Sequence, residues 1–233
     1  MDAAAPGPMP RVLVADGGPE ALAEAREGLQ ADGFDVEHVE GAEALLGAAR
    51  ALPPDIVVVG MGLPGGGAVD ACRALREFSD AYVIVSAASP DEVSTVLALS
   101  VGADEVVGPG TSGREMAARA RAMLRRPRAT AAPIGPMEVG DLRVDPLSRS
   151  AAAGEEALDL TRIEFDILAV LAAAAPAVVD RTTLVERVWG PGWLPDDHLL
   201  DVHVSNLRRK LVAAGADARV VTVRGVGFRL ATP

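Results

Sequence analysis

Aromatic side chains are scarce: four Phe, two Trp and one Tyr in 233 residues, or 3%. Any core must therefore rest on Ala, Val and Leu within the 49% apolar fraction. Cys72 is the single cysteine, which excludes an intramolecular disulfide framework and fits a reducing cytosol, so a cytoplasmic location is expected. No run of about 18 apolar residues without charge occurs, so no membrane span is expected. Met1–Pro10 has no charged segment followed by an apolar stretch and does not read as a signal peptide. Cations are also few, and the net charge is −11, which at first sight argues against a nucleic-acid partner.

The distribution of that charge matters more than its sum. Residues 1–124 carry 8 Arg against 19 Asp and Glu, a balance of −11. Residues 125–137 carry 3 Arg, and residues 138–233 carry 11 Lys and Arg against 14 Asp and Glu. The C-terminal part also holds a basic cluster, Arg208, Arg209 and Lys210, and a local patch of this kind can suffice for DNA.

In the first half, short apolar runs at 11–15, 34–39, 55–59, 82–86 and 105–107 alternate with amphipathic stretches near 19–31, 41–51, 68–78, 91–100 and 112–124. Five strand–helix repeats predict an α/β domain with a doubly wound parallel five-stranded sheet over residues 10–124. The functional crevice of such a sheet lies beyond the carboxyl ends of its strands. The segments there, VLVADGGP (12–19), PDIVVVGMGLPGG (54–66), VIVSA (83–87) and GADEVV (102–107), resemble the motifs of CheY-like receiver domains in order and spacing.

The resemblance implies an acidic pair after strand one, a phosphoacceptor Asp after strand three, a Ser/Thr after strand four and a Lys after strand five. This chain keeps Asp16 and Ser86 but has Gly17 for the second acid, Gly60 at the phosphoacceptor position, Pro109 for the Lys and Val106 for the aromatic switch residue. No phosphoacceptor, metal site or cofactor is therefore expected. Asp16 reads as a turn cap, and Cys72 and His38 read as structural. Gly60, Gly62, Gly65, Gly66 and Gly67 lack the Lys and Ser/Thr of a phosphate loop and read as a partly emptied pocket rim. Asp104, Glu105, Glu115, Arg119 and Arg126 resemble the family's charged dimer face, although Thr95 replaces its usual Lys on helix four.

Residues 125–136, RRPRATAAPIGP, have three Pro, one Gly and no helical period, and read as a linker. Residues 137–233 begin with strand patterns at 139–144 and near Ala151 and Leu158, turning at Asp145–Pro146 and Gly154. Thr161 with Glu164 forms a capping-box pattern before a helix whose inner face is Ile163, Phe165, Leu168 and Leu171. Asp180 caps a short helix, 181–189, and Asp197 can cap a third running to about 212. A hairpin of 220–223 and 227–230 closes the chain around Arg224–Gly225.

A helical projection of the third helix puts Leu200, Val204, Leu207 and Leu211 in the core. It puts His198, Val202, Ser205, Asn206 and Arg209 on the opposite face, flanked by Arg208, His203 and Lys210. Such a face suits the major groove, where Arg reads guanine, Asn reads adenine and Val touches a thymine methyl. From composition alone the reading as a solvated face with ordinary surface charge stands ahead. The motifs LTRIEFDIL (160–168), LVERVWG (184–190), DVHVSNLRRKL (201–211) and VTVRGVGFRL (221–230) are similar to the winged helix-turn-helix domain of OmpR/PhoB response regulators.

That resemblance implies a recognition helix over 198–212, and a wing carrying Thr222 and Arg224. It implies backbone contacts from Arg181 and Trp189, with a core role for Trp189 equally open, and an RNA-polymerase (sigma or alpha subunit) contact in loop 190–195 with Trp193. The expectation is a DNA-binding regulator that dimerises and acts without aspartyl phosphorylation; the alternative is a sensor binding a small molecule in the vacated pocket. An enzyme is not expected, because no nucleophile–base pair or metal cluster is evident.

Overall fold

The computed structural model describes residues 9–18, 22–88, 92–108, 110–124, 135–190 and 199–232. The chain divides into two units, Met1–Leu124 and Arg125–Pro233. The first unit runs β1 (Arg11–Asp16), α1 (Ala23–Ala31), β2 (Asp35–Glu40), α2 (Ala42–Ala51), β3 (Ile56–Gly60), α3 (Gly67–Arg76), β4 (Tyr82–Ser86), α4 (Glu92–Ser100), β5 (Glu105–Val107) and α5 (Gly113–Leu124). The strands pair in parallel in the order β2-β1-β3-β4-β5. Val12–Ala15, Ile56–Val59 and Tyr82–Val85 are buried throughout, as apolar runs covered on both faces should be. The edge strand β2 is instead largely polar and partly exposed.

Register aligns Asp16 with Glu40 and Gly60 with Ser86, so Asp16, Gly60 and Ser86 share the carboxyl end of the sheet. Gly66, with φ +119°, caps α3, and the left-handed turn that only glycine adopts easily starts the helix immediately after the β3 loop. Gly28 on α1 and Gly113 on α5 meet so closely that a Cβ on Gly28 would overlap the Gly113 backbone, and one on Gly113 would run into the Glu24 carbonyl of α1. Cys72 lies in the core, and burial pushes its thiol up to about 12.

The second unit opens with an antiparallel sheet of β6 (Met137–Val139), β7 (Leu142–Asp145), β8 (Ser150–Ala153) and β9 (Glu156–Ala157). Then come α6 (Arg162–Ala174), β10 (Val179–Asp180), α7 (Arg181–Trp189), α8 (Leu199–Ala213), β11 (Arg219–Val223) and β12 (Gly227–Ala231). The hairpin β11–β12 gains β10 as a third strand, an element too short to show in the sequence pattern. The capping box at Thr161 forms as its spacing predicts. Ile163, Phe165, Leu168 and Leu171 of α6 pack in the core with Leu200, Val204, Leu207 and Leu211 of α8.

Glu164 has a second task. Its Oε2 accepts from the Thr161 N–H at 2.9 Å and from Lys210 Nζ of α8 at 2.7 Å, so one buried carboxylate ties the start of α6 to α8. Thr161→Ala is expected to cost about 1 kcal/mol. Lys210→Met leaves that carboxylate without its cation and is expected to cost more, about 2–3 kcal/mol after allowing for the partly exposed ammonium. Urea unfolding followed by Trp fluorescence checks the order, because both Trp residues belong to this unit.

Candidate functional site

The exposed face of α8 is narrower than a helical projection suggests. Asp201, Ser205 and Arg209, spaced by four, face solvent, with Val202 and Arg208 half-buried beside them. The sequence reading also put His203 and Asn206 there, and the structure corrects it: they are 1% and 4% exposed. His203 packs against Trp189 of α7, with ring centroids 6.0 Å apart. The buried strip of α8 is therefore wider than the Leu/Val row, and the polar side chains of His203 and Asn206 fall inside it.

Trp189 is 1% exposed and packs in the core, and its indole N–H has no hydrogen-bond partner among the described residues. Arg208 is held as well. Its Nε donates to the Val220 carbonyl at 2.8 Å and its Nη2 to Thr222 Oγ1 at 2.6 Å, so Arg208 and Thr222 join helix to wing. Arg181, at the start of α7, forms a two-pronged pair with Asp201 at 2.9 and 3.0 Å and lies 5.4 Å from the centre of the Phe228 ring. Ser205, Arg209 and Arg224 are exposed, and their side chains make no hydrogen bond or ion pair with a described residue. Arg224 sits in the wing turn, where Gly225 has φ +72°. His198, Trp193 and the rest of 191–198 lie outside the described residues, as do Pro109, Arg126 and the linker from 125 to 134.

In the first unit, Asp16 is a turn cap and more. Its Oδ1 accepts from the Gly18 N–H at 3.0 Å and from His38 Nε2 at 2.8 Å, and its Oδ2 from the Leu22 N–H at 3.1 Å. The carboxylate is 1% exposed. Magnesium needs several oxygens in octahedral array, and the residues present do not fit it: Gly17 and Gly60 offer no side-chain ligand, and Asp16 already accepts from three protein donors. Among the described residues no three His, Cys, Asp or Glu gather at one point. The contact with His38 was legible only by combining strand alternation with the β1–β2 pairing, which a reading of single strands omits. Beside Gly60 opens a cavity of about 650 Å³, lined among others by Met61, Ser86, Ala87, Glu24 and Thr111.

The charges proposed for a dimer face are largely turned inward. Asp104 is fully buried and pairs with Arg76 of α3 at 2.7 Å while accepting from the Val83 N–H, so its assignment to an exposed face is corrected. Glu105 is also buried, because the short β5 aims it beneath α5, where it pairs with Arg119. Arg119 pairs in addition with Glu115 at 2.6 Å, and of these acids only Glu115 is exposed. Burial pushes the Glu105 carboxyl up to about 7, against the pull of Arg119, and its Oε2 has no partner among the described residues.

Residues 12–120 match the response regulator receiver domain, and residues 154–230 match the C-terminal domain of transcriptional regulatory proteins. The DNA-binding response regulator MtrA of Mycolicibacterium smegmatis is 36% identical over 224 residues, covering 96% of this chain and 97% of its own. The transcriptional regulatory protein PrrA of Mycobacterium tuberculosis is 40% identical over 224 residues, with coverage of 95% and 96%. Among solved structures, a RitR mutant aligns with a TM-score of 0.79 at 24% identity over 96% of this chain and all of its own, a likeness of fold alone. The Thermotoga maritima OmpR/PhoB homologue DrrB aligns at 0.50 with 25% identity, over 96% of this chain and 99% of its own.

Glu105 gives this unit a pH signature. A raised carboxyl pKa means that the folded state binds the proton more tightly than the unfolded chain. The group's contribution is full below about 4.5 and is lost as pH rises to about 7. Calorimetric melts of wild type and Glu105→Gln should therefore diverge across that window: wild type loses stability relative to the variant as pH rises. Parallel melting curves would contradict the burial argument.

Proposed function

Because the chain belongs to the OmpR/PhoB-type DNA-binding response regulators, we propose that it regulates transcription as a homodimer on double-stranded DNA without aspartyl phosphorylation. The observation that carries the DNA reading is the exposed set of Ser205 and Arg209 on α8 with Arg224 on the wing. Arg209 can donate two hydrogen bonds to guanine, and Ser205 serves either base type. Arg224 is a phosphate or minor-groove cation. Arg208, Thr222 and Arg181 act chiefly by holding helix, wing and α7 in register. The loop 190–195 is proposed to touch RNA polymerase on the family resemblance alone.

Independence from phosphorylation is supported by Gly60 at the acceptor position and by Asp16, whose oxygens already accept from protein donors. For the dimer, Val93, Val96 and Leu97 leave α4 with exposed apolar side chains. Arg119 is engaged within its own protomer, and exposed ion pairs contribute only about 0–1 kcal/mol. Apolar packing of α4 is therefore the main proposed contribution. A second reading rests on the cavity beside Gly60. Its lining hydroxyls and Glu24, with no cation among the described lining residues, suit an uncharged or cationic small molecule rather than an anion. Native mass spectrometry of the purified protein separates the readings, since only the second requires a bound molecule.

The DNA reading is tested by titrating operator and scrambled duplexes at several salt concentrations, before and after incubation with acetyl phosphate and magnesium. Arg209→Ala should cost about 1–3 kcal/mol on operator and relax preference at one base position. Arg224→Ala should weaken binding to every duplex and flatten the salt slope by about one unit. Asn206→Ala, being in the core, should lower stability with little change in base preference. Acetyl phosphate should alter nothing; acid-labile phosphate on the protein would sink the phosphorylation-independent reading. For assembly, sedimentation at micromolar concentration should give a dimer that Leu97→Glu converts to monomer. A wild-type monomer with and without operator would count against it.

A further inference from the structure

We infer that His38 stands in for a receiver's divalent cation as a partner of Asp16, its imidazole N–H hydrogen-bonded to that carboxylate so that the remaining acid is occupied from within and closed to metal. The inference rests on the proposal that this receiver works without phosphorylation, and it names a third residue, beyond the two glycines, that enforces that state.

The starting point is the cost of a buried carboxylate. Asp16 is 1% exposed, and an ionised group so placed must be paired and hydrogen-bonded. Two backbone N–H groups, from Gly18 and Leu22, do part of this, and His38 Nε2 at 2.8 Å completes it. A carboxylate oxygen only accepts, so Nε2 carries the proton of that bond. The imidazole is not held by a loop. His38 lies within β2, whose parallel register sets it opposite Val14, two residues before Asp16 on the same face of β1. Its side chain keeps 21% exposure, so the pair sits at the margin of the unit with the carboxylate inside and the ring outside.

Backbone geometry does not explain the two glycines. Neither Gly17 nor Gly60 has a left-handed φ. A Cβ at Gly60 would stand 3.5 Å from the Asp16 Cβ, and one at Gly17 would stand 3.4 Å from Pro64 Cδ, both within ordinary contact. A Cβ is accommodated at both positions. The electrostatics differ: a single buried carboxylate can be satisfied by hydrogen-bond donors alone, as Asp16 is by two backbone N–H groups and one imidazole N–H, whereas three carboxylates around one point repel each other unless a divalent cation binds. That cation would have to displace the His38 ring from Asp16, so restored acids alone should not restore the metal site.

Manganese serves as the probe, measured by its electron spin resonance signal and by thermal shift. Wild type and the double variant Gly17→Asp/Gly60→Asp are expected to bind it weakly. Adding His38→Val to the double variant should tighten binding by at least about tenfold. Equal affinity of the double and triple variants would overturn the inference, as would a triple variant that melts cooperatively yet binds no better. Wild type provides a second measurement should the triple variant fail to fold. In its NMR spectrum millimolar manganese should leave the Gly18, Leu22 and His38 amides sharp; selective broadening of those three would also overturn it. These outcomes are separable from the parent proposal. Acid-labile phosphate on wild type would defeat phosphorylation independence, whereas manganese on the double variant would defeat only the role of His38.

Discussion

With seven Phe, Trp and Tyr side chains among 233 residues, helices and strands must approach until backbone meets backbone. In the first unit this happens where Gly28 of α1 faces Gly113 of α5. In the second it happens at Gly227, where a Cβ would run into the Val179 carbonyl and the Asp180 Cα. Small side chains fill a core at native density only if the elements close up. The position of α5, and with it Arg119 over Glu105, depends on the first contact. The junction of β10 and β12, and with it Arg181 at the base of the wing, depends on the second.

The polar groups follow the same economy. Much of the charge that reads as surface in the sequence is engaged inside its own unit: Asp104 with Arg76, Glu105 with Arg119, Glu164 with Lys210, and Asp166 with Arg149. Arg208 belongs to this group too, through its bonds to Val220 and Thr222. Ser205, Arg209 and Arg224 are left facing outward on α8 and the wing. A basic cluster thus resolves into one structural lysine, one structural arginine and one exposed arginine.

This sorting explains what could be read from the sequence. The five strand–helix repeats, the Thr161–Glu164 capping box and the Leu200–Val204–Leu207–Leu211 row were legible, because each is set by local periodicity or by a four-residue motif. The burial of His203 and Asn206 was not, since it depends on tertiary packing that local periodicity does not encode, for His203 on where Trp189 of α7 comes to rest. The burial of Asp104 and Glu105 was hidden for a related reason: β5 is three residues long, too short for alternation to reveal which face is covered. β10 escaped because two residues carry no pattern, and the His38–Asp16 contact because it is a property of two strands at once.

The two rims of the five-stranded sheet differ in sequence and agree in effect. One rim is β2, whose exposed Asp35 and Glu40 place negative charge along its free backbone groups. The other is β5, only three residues long. An open strand invites pairing with another chain, and both acid and brevity discourage it. Cross-chain sheet extension, the route to ordered aggregates, is thereby disfavoured at both ends, which steers association of two such units towards their helical faces.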